Sequence, residues 1–288
     1  MDKEEIPVFI DTSSLIYGAC FNSNKKEKEY NNFDIYLDAL MSYIKNILTD
    51  TKATSYILFG DGYTSFRKKR YTDFKGDRKS KPTPKFFTDL KHYAVETLGM
   101  ITSNIFEADD LCLLHNRKYG GIVASGDSDL RQDKGTFFNY NYHRYNIPLE
   151  VAFEELTSDK AEKNLWKQVM KKGHNNKTSY LVGCGEETAK GYLKAFTPAQ
   201  AKLAAMNAFV FGIDKSKYED VKRNIKGYGL SVGIREFYNA FSQSYLLRTE
   251  EEALELDPEF YFEFPTSVDI FNKHYETAYG QQDLQSIL

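Results

Sequence analysis

Cysteine is scarce: the chain holds three, Cys20, Cys112 and Cys184, odd in number and widely spaced. No CxxC pair occurs, which argues against both a zinc knuckle and a disulfide framework. No run approaches the ~18 consecutive apolar residues of a membrane span. The opening MDKEEIPVFID is acidic and lacks the apolar core of a signal peptide. The sequon Asn176-Lys177-Thr178 therefore has no supporting sign of export. A GxxxxGKS/T loop, an HExxH helix and a GxSxG elbow are all missing, so motor, zincin and serine-hydrolase chemistry find no support. No internal repeat or low-complexity tract interrupts the chain. A soluble, membrane-free intracellular protein is expected. At 288 residues it is long enough to bury its own core.

What is present is charge, unevenly placed. The net charge is −3. Between Ser65 and Lys91 stand ten Lys or Arg against three Asp, a local balance of +7. From Thr249 to Leu288 stand ten acids and one Lys, a balance of −9. A basic segment beside acidic clusters suits a polyanion binder with a metal site, although a solvated helix face also explains a charge run.

Short apolar runs ending in acids recur. PVFID and SYILFGDG read as buried strands, MITSNIF as a third and GIVAS as a fourth; the aromatic GTFFNYNYHRY alternates as a fifth would. Helical periodicity runs from about Asn32 to Asn46, through KFFTDLKHYAVETLG, and from Glu107 to about Tyr119. This alternation predicts an α/β fold with a mainly parallel sheet flanked by helices. From about Pro148 the character turns helical, with FEELTSDKAEKNLWKQVMKK, EETAKGYLKAF and PAQAKLAAMNAFVFGI as successive helices. The expected division is a catalytic α/β core over 1–147, including a basic segment at 65–91. A helical region over 148–258 and an acidic tail over 259–288 follow. GYGLSVG, Gly227 to Gly233, reads as a connection.

In parallel sheets function gathers beyond the carboxyl ends of the strands. Asp11, Asp61, Glu107 and the pair Asp127 and Asp129 all fall at such ends. Each alone has a plain explanation. Asp11 can cap a helix, Asp61 can make a turn, and Asp127 and Asp129 can cap after a strand. EADD can be an acidic helix N-terminus, with Glu107 and Asp110 on one face and Asp109 favoured by the dipole. Their coincidence on one rim points instead to a hard-cation site for Mg²⁺ or Mn²⁺. Two such ions about 4 Å apart can activate water and stabilise the leaving oxygen of a phosphodiester.

Read in order, FIDTSS, FGDG, FRKKRYTDFKGDR, EADD and SGDSDLRQ resemble the flap endonuclease and 5′→3′ exonuclease family, its phage and bacterial members included. The resemblance spans roughly Val8 to Phe196. It implies a PIN-like parallel-sheet core and a helix-two-turn-helix region holding DNA. It also implies divalent-metal-dependent cleavage near 5′ ends. Asp11, Asp61, Glu107, Asp109, Asp110, Asp127 and Asp129 match the family's acidic positions. Glu107, Asp110 and Asp127 would be the core ligands of the first metal, with Asp11 and Asp61 arranging its waters and Asp129 recruiting a second ion. Lys75 and Arg78 match a basic pair over the scissile phosphate, where they would neutralise developing charge. Phe74 takes the place of an aromatic that stacks on a base, or packs as an ordinary helix residue. Arg67, Lys68, Lys69, Arg70, Lys79 and Lys81 would line the arch through which a 5′ end passes, making salt-sensitive phosphate contacts.

Downstream, Val182-Gly183-Cys184-Gly185 would offer backbone N–H groups to a phosphate, with Thr188 and Lys190 on the next helix. A K⁺ ion at this turn is a further implication of the resemblance. Cys184 reads as a small filler. Many family members carry two more aspartates just before this turn, for the second metal. Here the matching positions hold His174 and Lys177, or Gly173 and Asn176 in the shorter pairing. One well-formed metal site and a weaker second are therefore expected.

The leading expectation is a monomeric Mg²⁺-dependent nuclease acting on DNA flaps, nicks, free 5′ ends or RNA–DNA hybrids in replication or repair. It would work in the cytoplasm, or in a host's cytoplasm for a phage-encoded chain. A non-catalytic DNA-end or flap binder is the alternative. A small ribonuclease cutting single-stranded RNA is the third.

Overall fold

The computed structural model describes residues 6–24, 32–71, 74, 82–171 and 179–287. Strand β1 (Pro7–Asp11) leads into helices α1 (Ser13–Asn24) and α2 (Phe33–Thr51), then strand β2 (Ser55–Asp61). Asn32 starts α2 by accepting the Asp34 N–H, and Lys52 ends it in a left-handed conformation. Helices α3 (Phe66–Arg70) and α4 (Phe87–Glu96) bracket the basic segment and precede β3 (Ile101–Ser103). Next come α5 (Ala108–Tyr119), β4 (Ile122–Ala124), a short helical turn over Ser128–Gln132, and β5 (Gly135–Phe138). Helix α6 (Leu149–Ala152) and strand β6 (Phe153–Leu156) complete the first part of the chain.

The strands lie in the order β3-β2-β1-β4-β5-β6. The pairs from β3 through β5 are parallel, and β6 runs antiparallel on the edge. The expected mainly parallel sheet flanked by helices is what forms. Alternation along each strand decides which layer a side chain joins. Val8, Ile10, Tyr56 and Leu58 enter a core with α1 and α2, whereas Phe9, Ile57 and Phe59 enter a second core with α5. Both faces are covered, so PVFID is buried at every position.

The second part is helical: α7 (Ser158–Met170), α8 (Glu186–Lys194), α9 (Pro198–Phe211), α10 (Leu230–Ser244), α11 (Glu250–Leu256) and α12 (Val268–Ile287). A two-stranded ribbon, β7 (Gly212–Ile213) with β8 (Ile225–Lys226), joins α9 to α10. Trp166, Phe209 and Phe237 anchor a third core among α7, α9 and α10, Trp166 stacking on Phe237 at 5.8 Å.

Three sequence expectations shift. FEEL is the edge strand β6 rather than the start of a helix, because it pairs with β5; Thr157 then caps α7 by accepting the Lys160 N–H. The aromatic run GTFFNYNYHRY is a strand only over its first four residues. Leu230 to Gly233 of GYGLSVG is the first turn of α10 rather than a connection.

The tail also has a structural task. Strand β9 (Thr266–Ser267) pairs antiparallel with the start of β2, and Phe271 and Tyr275 of α12 are buried against α2 and the sheet. Ahead of it, residues 244–263 cross the outside of α5. There His115 is buried, its Nδ1 2.8 Å from the Leu111 carbonyl, while its Nε2 accepts the Glu263 N–H at 3.2 Å. Phe59, Phe260 and Phe262 surround its ring. Burial lowers its pKa from 6.5 to about 4, although the Leu111 bond opposes this. No helix among the described residues is long and apolar enough to cross a membrane.

Candidate active site

The carboxyl ends of β1, β2 and β4 and the start of α5 share one rim, and hydrogen bonds join them. Asp11 ends β1 and is buried; its Oδ2 accepts from Ser125 Oγ at 3.1 Å and Ser14 Oγ at 3.4 Å. Ser125 Oγ in turn accepts the Asp127 N–H at 3.0 Å, and Asp127 Oδ1 accepts the Asp129 N–H at 2.9 Å. On the other side Asp61 accepts the Ala108 N–H at 3.0 Å, which fixes the end of β2 against the start of α5. The Asp61 N–H donates to Ser13 Oγ at 2.8 Å. Two hydrogen-bonded groups, Asp11 with Asp127 and Asp61 with the EADD turn, thus meet at the adjacent Ser13 and Ser14 of α1, and the Thr12 N–H on the Phe59 carbonyl at 2.8 Å ties the ends of β1 and β2 together.

The buried Cys112 thiol registers this crowding. Burial raises its pKa most, and the carboxylates of Asp11, Asp109, Asp61 and Asp110 raise it further. Asp61, Asp109, Asp127 and Asp129 are half-buried and reach the rim surface. Among the described residues, no three His, Cys, Asp or Glu side chains form a group that could hold a metal ion. Their hard-oxygen chemistry fits Mg²⁺ or Mn²⁺, while a closed cage is not preformed.

Glu107 and Asp110 stand differently from expectation. Arg67, 1% exposed, inserts its guanidinium beneath them. Its Nη1 donates to Asp110 Oδ2 at 2.6 Å and to Glu107 Oε2 at 3.2 Å, and its Nη2 donates to Asp110 Oδ1 at 2.8 Å. Asp110 also accepts the Glu107 N–H at 3.1 Å and the Leu247 N–H at 2.9 Å. Both of its oxygens are saturated inside the protein, so it serves as an internal ion-pair partner and helix cap rather than a core metal ligand. Burial would lower the Arg67 pKa, but Asp110, Glu107 and Asp109 together raise it. The expectation that Arg67 touches DNA phosphate is corrected for the same reason: no face of it meets solvent. Phe74 is likewise 5% exposed, so its ring packs inside rather than meeting a base. Lys68 remains half-buried, while Lys69 and Arg70 are exposed on α3. Lys75, Arg78, Lys79 and Lys81 lie outside the described residues, as do Gly173, His174, Asn176 and Lys177.

Two lysines that the sequence did not single out stand at the rim. Lys91 of α4 donates to the Asp61 carbonyl at 2.5 Å. Burial lowers its pKa, Asp61 raises it and nearby Lys68 lowers it. Lys171, at the end of α7 and 8% exposed, lines a cleft of about 300 Å³ with Asp127, Asp129, Ser14, Ser128 and Asn141. It also pairs with Glu186 at the start of α8, as Lys167 does at 2.9 Å. Burial would raise the Glu186 pKa, but these two lysines hold it down at about 2. Nothing in the local sequence marks Lys171 as a residue that turns inward.

At the downstream turn Gly183 has φ of +83°, the left-handed region that glycine tolerates. The Val182 and Cys184 N–H groups are used internally, on Tyr228 Oη at 3.1 Å and the Leu181 carbonyl at 2.9 Å. Val182, Gly183 and Gly185 are exposed, with Thr188 half-buried and Lys190 exposed on α8. Cys184 is buried, and burial lifts its pKa to about 12, so it acts as a filler.

No family model matches the sequence, and no curated protein does. Solved structures do. The zinc-bound 5′-exonuclease of phage T5 superposes with a TM-score of 0.58 at 13% identity, over 96% of this chain and 98% of that one. The chain has the 5′-nuclease fold. A bacteriophage T5 flap endonuclease, in a complex with DNA and metal ions, gives 0.58 at 14% identity over 96% and 98% of the chains. The catalytic core of Rad2 with a DNA substrate gives 0.51 at 15% identity over 96% and 88%. Within this 5′-nuclease fold, Asp127, Asp129 and Lys171 line the same cleft.

Proposed function

We propose that the protein is a divalent-metal-dependent, structure-specific 5′ nuclease that hydrolyses phosphodiesters near 5′ ends of DNA or of RNA–DNA hybrids. The observation that carries this reading is the convergence on one sheet rim of two hydrogen-bonded groups, Asp11 with Asp127 and Asp61 with the start of α5, in a chain with the 5′-nuclease fold. Asp61, Asp109, Asp127 and Asp129 are the groups that would hold the cation, with Asp11 orienting through Ser125. The bound ion would supply a lowered water pKa and charge stabilisation on the phosphate. The chain's own residues bind and orient. Lys68, Lys69 and Arg70 attract the phosphate backbone, and Lys171 places a fixed positive charge beside Asp127 and Asp129. Lys75 and Arg78 complete the proposal as cations over the scissile phosphate.

Labelled flap, nicked, hybrid and single-stranded substrates, each incubated with Mg²⁺, Mn²⁺ or EDTA, test it. Cleavage near 5′ ends that stops in EDTA and in Asp127→Ala is the expected result. Full cleavage by Asp127→Ala refutes the assignment.

The pairing of Arg67 with Glu107 and Asp110 favours a second reading, a DNA-end or flap binder without turnover, because it withdraws two carboxylates from the cation. Binding to flapped duplex without product in either metal would select it.

A further inference from the structure

Tyr63 lies two residues beyond Asp61 and is 83% exposed. The loop carrying it is nonetheless tightly fixed. A Cβ on Gly62 would fall 1.9 Å from the Ser103 carbonyl oxygen, so the backbone lies directly on β3. Thr64 Oγ1 donates to the Asn104 carbonyl at 2.7 Å, and the Phe66 N–H to the Ile105 carbonyl at 2.8 Å. Ser65 is fully buried and caps α3 by accepting the Lys68 N–H at 3.2 Å. An aromatic ring is therefore held in solvent by a loop that has little freedom of its own. Exposure at this level contributes almost no burial energy, so the core does not account for the ring.

Its neighbours are cationic. Lys91 Nζ lies 4.9 Å from the Tyr63 ring centroid while bonded to the Asp61 carbonyl, which places it between the ring and the acid rim. Lys68 stands close enough to Lys91 to perturb it. A rigid aromatic ring with the Lys91 ammonium over one face and Lys68 near that lysine matches an unpaired nucleobase on the other face and its adjoining phosphate. Every base has a π-face for the ring, and every linkage has a negative charge for the lysines.

We propose that Tyr63 is a stacking platform for one unpaired base of a single-stranded segment of the substrate, with Lys91 bracing the ring and Lys68 and Lys91 attracting the neighbouring phosphate. This rests on the nuclease reading and adds where the single strand lies: beside the end of β2, within about a nucleotide of Asp61. Phe74, the aromatic that the sequence pattern suggested for stacking, is buried and does not compete for the role.

The test uses 5′-flap and single-stranded oligonucleotides carrying 2-aminopurine at one position at a time, titrated in calcium with an EDTA control. The wild-type protein should change 2-aminopurine fluorescence at one or two adjacent positions. Tyr63→Ala should abolish that change and weaken single-strand binding about tenfold, the scale of one lost stacking contact. Tyr63→Phe should retain both. Unchanged far-UV circular dichroism would show that Tyr63→Ala is folded, as expected for so exposed a side chain. A wild-type protein that binds these oligonucleotides with no Tyr63-dependent position, or with the same Kd in Tyr63→Ala, overturns the platform and leaves the nuclease reading standing. A wild-type protein that binds none of them overturns both.

Discussion

Arg67 and Asp110 form a two-pronged ion pair in the interior, with Nη1 2.6 Å from Oδ2 and Nη2 2.8 Å from Oδ1. The pair joins the base of the basic segment to the first turn of α5. Through the Leu247 N–H on Asp110 and the Tyr245 carbonyl on Arg67, it also holds the strand of chain between α10 and α11. Three parts of the fold therefore meet on one guanidinium.

Removing that guanidinium leaves two carboxylates buried without their partner. Arg67→Met should destabilise the protein by about 3–5 kcal/mol, the range for breaking a buried pair from one side. Urea denaturation measures it. Adding Asp110→Asn should recover part of the loss, and a double mutant no better than Arg67→Met would show that the pairing is not the cause.

The acids facing the cleft should behave in the opposite way. Asp127→Ala and Asp129→Ala remove rim carboxylates that are half-buried, so their melting temperatures should stay near wild type. Metal-dependent cleavage should fall by about 10²–10³-fold, the scale for losing one preorganised electrostatic contact. Asp110→Ala is expected to show the reverse balance, with unfolding dominating any loss of activity.

His115 predicts an acid-side loss of stability. It is held neutral in the folded protein down to about 4, whereas the unfolded chain protonates it below 6.5. The unfolded state therefore binds the extra proton between these values, and stability falls as pH drops through that window. The loss should reach about 3 kcal/mol once pH is below both values. His115→Gln should be less stable at neutral pH yet flatter between pH 6.5 and 4; an unaltered slope would assign the dependence to other groups.

Helix α12 should prove part of the fold. Phe271 is fully buried between the sheet and α2, so Phe271→Ala should cost about 3–5 kcal/mol through the cavity it leaves. Thermal unfolding of this variant, with Ile270→Ala at an exposed site as control, separates a packed helix from a passive tail.

The sequence alone determined where acids leave the sheet. Short apolar runs ending in Asp11 and Asp61 specify buried strands by local pattern, and parallel strands carry their ends to the same side. Helix α5 was legible from EADD and Gly120 for the same reason: caps and periodicity are properties of neighbouring residues. Direction was not legible. Asp109 and Asp110 are adjacent and chemically alike, yet about 100° of helix rotation turns one to the rim and the other inward. Beside the local Glu107 N–H, the partners that saturate Asp110 are Arg67 and Leu247, 43 and 137 residues away in the chain, so no local pattern contains them. Tertiary packing alone buried Arg67 out of a run of four cations, turned Lys171 into the cleft and left Tyr63 in solvent. Each of those outcomes depends on which distant surface closes over a side chain, and that is decided only when the layers meet.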